Sequence, residues 1–419
     1  MAGDNYQPLR PEENGARNVA HDGEEYDSDF QSREGSDNEQ NEMREEEDLK
    51  KMPLTPASVL FRMMVCLTVG LASGFLLEKS RVFEPFNVRG QMVFKRMTFL
   101  KLMLSAVSAG MFCLSLLAMI PSSQRSFQRV CISFYSQLSD HGIMACCLGG
   151  LLVGIGMTMS GSDPVYAFVQ LGAGLPNIEY TIGGVFLGTL VYGLMFPVLK
   201  SFVQPFFRSS TNPWIDSAYF ATALPLVVMF AMLVFAFELL VPWYSENKAK
   251  EDAHASILGK KTWPPHLCGA LIGFIQLPLV IGASECLGGS SSYATLTSQV
   301  FVGPLRRMSQ YLSRYRYGVS NWAQVLFCIG LVLGGYCSAS ASGTLGTTKG
   351  VFLVPALVGG FFMGFGVQMT GGSTNRHGQT GMGLLSILSF IIIACIFCGG
   401  IITGIVMKRY NYINNFVIS

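Results

Sequence analysis

The sequence predicts an all-α polytopic membrane protein of about nine transmembrane helices plus re-entrant half-helices, in two inverted repeats. Three observations predict it. Half of the 419 residues are hydrophobic and only 13% are charged, with a mean hydropathy of +0.39, a balance normal for a chain that lives in lipid. Nine apolar runs reach the roughly 20 residues that a bilayer core requires. One stretch, Gly359–Gly383, reading GGFFMGFGVQMTGGSTNRHGQTGMG, has an earlier echo at Gly149–Pro164, GGLLVGIGMTMSGSDP. At an offset of 210, six positions are identical, among them Gly149/Gly359, Gly156/Gly366 and Gly161/Gly371.

Residues 1–52 come first and are a tail. Positions 1–51 hold 16 acidic and 6 basic residues, a net charge of −10, whereas the rest of the chain is net +12. So little apolar surface cannot offset the entropy of ordering, and disorder is expected. No cleavable signal peptide precedes the tail, so the first span is expected to direct insertion.

The nine spans are expected near 55–77, 99–120, 143–160, 180–205, 218–242, 265–283, 321–341, 350–369 and 383–407. They divide the chain into a first repeat at 53–205, a connecting span and loop at 206–264, and a second repeat at 265–419. Arg81–Thr98 and Leu287–Val300 are too polar to span and too apolar for ordinary loops, and read as re-entrant or interfacial. Five spans separate the two glycine-rich breaks, so the breaks should face opposite sides. Lys79, Arg81, Arg89, Lys95 and Arg96 in the first loop, with Lys408 and Arg409, put that loop in the cytoplasm by the positive-inside rule; Arg306, Arg307, Arg314 and Arg316 pull the other way. Most of the eleven cysteines sit in apolar runs as small hydrophobes, and the spacing of Cys395 and Cys398 along an apolar helix gives no reason to expect a metal.

Interrupted helices at corresponding places in two halves point to a transporter's binding site. After the first break, Ser162, Asp163 and Pro164 precede VYAFVQLGAG; Asp at an N-cap with Pro after it starts a helix. Asp163 is either only that cap or an ionisable group facing a polar pathway. The second break supplies the hydroxyls of Ser373 and Thr374, the amide of Asn375, the permanent charge of Arg376 and the switchable charge of His377. With the dipole of the following helix, this suits an anion; the bland alternative is a loop whose Arg376 reaches lipid headgroups. Glu285, Cys286 and Ser291 form a third polar patch, while Glu84 and Arg89 hold the comparable place in the first half and are expected to pair with each other.

At these residues the chain resembles the YeeE/YedE sulphur-transport family, whose members take up thiosulfate and related compounds. The family's halves carry GxGMxLxGxCP and GFGxxxxGGCTSGHGxxG; here the text is GIGMTMSGSDP and GFGVQMTGGSTNRHGQTG. Gly74–Phe86, GFLLEKSRVFEPF, is similar to the family's first-repeat signature. The resemblance runs from about Leu60 to Met407. It implies passage of substrate along cysteines, yet the matching positions hold Asp163, Ser373 and Phe83.

The expected function is transport of a small, sulphur-containing, thiosulfate-like anion at the plasma membrane, with a proton as a possible partner in transport. The expected site comprises Ser162, Asp163, Glu285, Cys286, Ser291, Ser373, Thr374, Arg376 and His377. The alternative is a non-transporting sensor or scaffold that kept the fold and works through its tail. No phosphate-cradling loop is present, and no enzyme activity, cofactor, metal or nucleic-acid partner is expected.

Overall fold

A computed structural model describes residues 55–203, 219–246, 258–305, 310–412 and 416–417. The acidic tail, Arg306 and Arg307 therefore lie outside the described residues. The chain divides into two units, Met1–Ser58 and Val59–Ser419. The second is an all-α membrane body with two two-residue strands, Gly350–Val351 and Phe416–Val417, paired antiparallel.

The helices in chain order are α1 (Pro56–Lys79), α2 (Pro85–Met92), α3 (Thr98–Met119), α4 (Pro121–Leu138), α5 (Ile143–Ser160), α6 (Tyr166–Gly172), α7 (Ile178–Val203), α8 (Tyr219–Leu240) and α9 (Trp243–Glu246). They continue as α10 (Pro265–Pro278), α11 (Ser291–Leu305), α12 (Gln310–Ser313), α13 (Val319–Ala341), α14 (Leu353–Thr370) and α15 (Ile387–Arg409). Proline opens α1, α2, α4 and α10, where its missing N–H costs nothing. Among the described residues nine helices are long and apolar enough to cross a membrane, and their ends fall within four residues of the expected spans. The largest shift is at α15, where Leu385 takes φ 60° and Ser386 caps Ser389 N.

Close helix contacts explain the glycines. Helices α5 and α14 cross antiparallel at the centre, where a Cβ on Gly149 would stand 3.0 Å from the carbonyl oxygen of Gly366, and one on Gly366 only 2.6 Å from that of Gly149. A Cβ on Gly156 would meet Gly359 O at 2.5 Å, and one on Gly359 would meet Gly156 O at 2.8 Å. At the offset of 210, Gly149 is the counterpart of Gly359 and Gly156 that of Gly366, so each contact is returned by its own echo. A twofold relation between halves produces this reciprocity.

The flanks repeat it. Gly150 and Gly154 meet the carbonyls of Ile392 and Ile396 on α15, while their echoes Gly360 and Gly364 meet those of Thr181 and Val185 on α7. Further out, Gly70 and Gly74 of α1 press on Phe327 and Leu331 of α13, and Gly269 and Gly273 of α10 press on Leu102 and Ala106 of α3. Small residues four apart let helix backbones touch where lipid gives no hydrophobic drive to associate.

One helix has no counterpart in the hydropathy reading. Helix α4 is half polar, and buries Phe127, Val130, Cys131, Phe134 and Leu138 at helical spacing. The first re-entrant stretch is the buried α2, and the second leads into α11. Lys79 and Arg89 are buried, at 0% and 1% exposure, so they are not loop charges and the positive-inside count loses both.

The α5–α14 crossing should therefore be intolerant of side chains. Gly156→Val is expected to overpack it, at a cost of about 1–3 kcal/mol, and to lower the melting temperature of the detergent-purified protein. Gly183 has nothing within 4 Å of its Cβ position, so Gly183→Ala should be neutral or slightly stabilising in the same melt.

Candidate functional site

The two breaks have the same construction. Helix α5 ends at Gly161 (φ 61°) and α14 at Gly371 (φ 70°), both in the left-handed region. The amides of Gly161 and Ser162 turn back onto Met157 O, and those of Gly371 and Gly372 onto Val367 O. Met157 and Val367 are themselves counterparts at the offset of 210. The chain leaves each helix by one hydrogen-bonded turn and runs back into the protein.

After the first break, Asp163 Oδ1 accepts from Val165 N at 2.9 Å, and its carbonyl accepts from Ala167 N at 2.9 Å. Asp163 is thus a cap for α6, and it is 1% exposed. Among the described residues its other oxygen, Oδ2, has no partner at hydrogen-bond geometry, although the Thr374 hydroxyl and the Tyr166 amide lie close to the carboxylate. Ser162 is also buried and donates only to Asp163 O, at 3.1 Å.

After the second break, Ser373 is fully buried and its Oγ has no partner. Thr374 lies beside the Asp163 carboxylate and directs its hydroxyl to Met157 Sδ at 3.4 Å. The two breaks, more than 200 residues apart in sequence, therefore meet in space. The helix that follows winds as a π-helical turn over Arg376–Gly381 and, like the seven residues of α6, is too short to supply the dipole expected of it.

His377 does not offer a charge to a ligand. It is buried, with Nε2 3.2 Å from Thr370 O and Nδ1 3.2 Å from Ser389 Oγ. A carbonyl only accepts, so Nε2 carries the hydrogen and Nδ1 accepts from the serine. His377 is thus a brace on the last turn of α14.

Arg376 points elsewhere, over the Phe134 ring of α4 and to Gln137 Oε1 at 2.6 Å. It lines a cavity of about 560 Å³ together with Glu285, Cys286, Ser291, Gln137 and Gln324. Eight of the nine expected residues thus fall into two sets. Ser162, Asp163, Ser373 and Thr374 are buried where the breaks meet, Arg376, Glu285, Cys286 and Ser291 line the cavity, and His377 belongs to neither.

The expected Glu84–Arg89 pair is absent. Glu84 instead pairs with Arg81 at 2.9 Å. Arg89 donates Nε to Thr158 O at 3.0 Å and Nη2 to Met159 O at 2.6 Å, holding two of the last carbonyls of α5. Beside it, Gln170 Nε2 bonds Phe83 O at 2.6 Å and Gly161 O at 3.1 Å, and Pro85 packs against Gly161. From the other repeat, Tyr293 donates to Pro164 O at 2.8 Å and stacks on Phe168. Sequence reasoning missed Gln170, Gln137 and Gln324, because neutral amides in apolar runs announce no chemistry; Arg89 was seen but given the wrong partner.

Among the described residues, nine helices long and apolar enough to cross a membrane, with two polar breaks that meet in the interior, define a multi-pass membrane protein. The family model for sulphur transport matches residues 79–402. The chain belongs to that family, and the family moves sulphur compounds. No curated protein matches the chain.

The support around the first break sets its own test. Arg89→Met leaves two buried carbonyls without donors, at about 1–3 kcal/mol each, and should lower the melting temperature sharply. Asp163→Ala should cost about 1 kcal/mol through the lost cap, and Asp163→Asn much less. Equal melting of the Ala and Asn variants would show that the cap contributes nothing.

Proposed function

We propose that the protein is a plasma-membrane transporter that moves a small, thiosulfate-like sulphur anion together with a proton. The observation that carries this reading is the meeting of the breaks, where Thr374 reaches the Asp163 carboxylate and, among the described residues, Asp163 Oδ2 and Ser373 Oγ are buried without a partner at hydrogen-bond geometry. Unpaired polar atoms at membrane depth are costly, and in native proteins they mark a site that something else completes. The cavity beneath Arg376 supplies a way in, and its guanidinium supplies an anion-binding fork. The reciprocal contacts support placing the repeats at 53–205 and 265–419, joined by 206–264. Alternating access then moves one half against the other around the junction.

Asp163 gives the proton its place. A bound anion favours the protonated acid, so binding draws a proton in and transport quickens as pH falls. Uptake of labelled thiosulfate, sulfite and sulfate into proteoliposomes tests the reading directly; if none enters, the protein is no transporter of these solutes. In the wild type, uptake should rise with acidity, and Asp163→Asn should flatten that profile. An unchanged profile in the Asn variant would leave Asp163 as a cap alone. Arg376→Lys should weaken binding about tenfold, since an ammonium cannot replace the fork, and equal affinity would remove Arg376 from the site.

A further inference from the structure

The cavity contains more charge than a simple anion needs. Asp140 and Arg314 lie on its rim 4.0 Å apart, with side chains 61% and 63% exposed, and offset one another. His141 also lines it, and its Nδ1 lies 3.0 Å from Gln137 O. Deeper in, Glu285 and Arg376 share the same lining and lie within electrostatic reach of each other. They form no ion pair with one another, and among the described residues neither has an ion-pair partner. The groups that hold each are neutral, and the Arg62 guanidinium acts on Glu285 only from a distance. Arg376 bonds Gln137 and covers Phe134, and Glu285 rests against Ser320 and Gln324.

Two opposite charges in one cavity attract, and left to themselves would close on each other. Here neutral partners on α4 and α13 hold them apart. A thiosulfate-like ion satisfies Arg376 but is repelled by Glu285. A solute with charges of both signs satisfies both, and the 560 Å³ space accommodates an organic molecule. We propose that Glu285 and Arg376 form the two ends of a dipolar subsite, and that its ligand is a small organosulphur zwitterion. Its sulphonate or sulphinate lies on Arg376, and its ammonium, on a short aliphatic spacer, lies on Glu285. This rests on the reading of the cavity as the entry to the transport site, and it replaces the bare anion of that reading with a solute whose anionic end carries the sulphur.

The test compares four probes on the full-length protein in nanodiscs: 2-aminoethanesulfonate, ethanesulfonate, ethylamine and thiosulfate. Binding is measured by calorimetry, with melting curves to confirm that each variant folds. The zwitterion should bind at least about tenfold more tightly than either half-molecule, because it meets both charges. Glu285→Gln should reduce its affinity to that of ethanesulfonate while leaving ethanesulfonate unchanged or tighter. Arg376→Gln should lose ethanesulfonate and keep ethylamine, and Glu285→Asp should recover part of the zwitterion's advantage.

Ethanesulfonate or thiosulfate binding as well as the zwitterion would overturn the proposal, as would Glu285→Gln leaving the ranking untouched. Absence of binding by all four probes would overturn it too. The transporter reading fails separately: if the zwitterion binds as described but enters no proteoliposome, the subsite stands and transport does not. If thiosulfate enters and the zwitterion does not bind, transport stands and the dipolar subsite falls.

Discussion

The backbone contact between α5 and α14 is the constraint on which the rest depends. Gly149 against Gly366 and Gly156 against Gly359 bring the two helix backbones into direct contact. That proximity puts the ends of both helices within the protein interior. It also sets how far each break must travel to reach the other, since α5 and α14 run antiparallel and their C-termini point apart. One turn past each left-handed glycine brings the chain back inward, and Thr374 arrives beside Asp163. Wider spacing would open a gap at the crossing and leave the polar residues of each break facing lipid, where unpaired polar groups are prohibitive.

Breaking a helix at membrane depth exposes carbonyls that must find donors, and the two halves solve this differently. In the first, Arg89 takes the carbonyls of Thr158 and Met159, and Gln170 takes that of Gly161. In the second, the neutral ring of His377 takes Thr370 O. The same backbone geometry is thus completed by a permanent cation on one side and an imidazole on the other. Internal symmetry of the main chain does not extend to the groups that brace it. In the first half one brace, Arg89, comes from just after Gly74–Phe86, and the other, Gln170, comes from α6.

The architecture was legible because its causes are local and repetitive. A span announces itself by twenty apolar residues, and the 210-residue echo survives because only glycine fits where two backbones touch. Helix α4 escaped for the complementary reason, since a hydropathy window averages its buried Phe127 and Phe134 with the polar residues between them. The site was half legible. Asp163 and Arg376 stand out as charges among apolar residues, but nothing in the sequence says which of them faces a cavity. His377, adjacent to Arg376, turned inward because consecutive positions on a helical turn point in different directions. Arg89 found carbonyls instead of Glu84, because Arg81 had already claimed the acid. Such choices among partners depend on distances that a sequence does not contain.

The replaced cysteine positions bear on what the molecule can do. Asp163 and Ser373 stand where the resemblance implies thiols, and both hold an oxygen without a partner in a buried place. A thiol is a weak donor that tolerates apolar surroundings, whereas a carboxylate or hydroxyl left unpaired there costs stability. Substituting oxygen for sulphur at both positions therefore made the junction more demanding of hydrogen bonds. It also leaves neither position with a thiol that could bond to a sulphur atom, so the chemistry these two side chains offer is hydrogen bonding and charge. In the transport proposed above, discrimination falls to shape and charge over a larger surface, and the cavity wall that carries Arg376 and Glu285 has the groups to provide it.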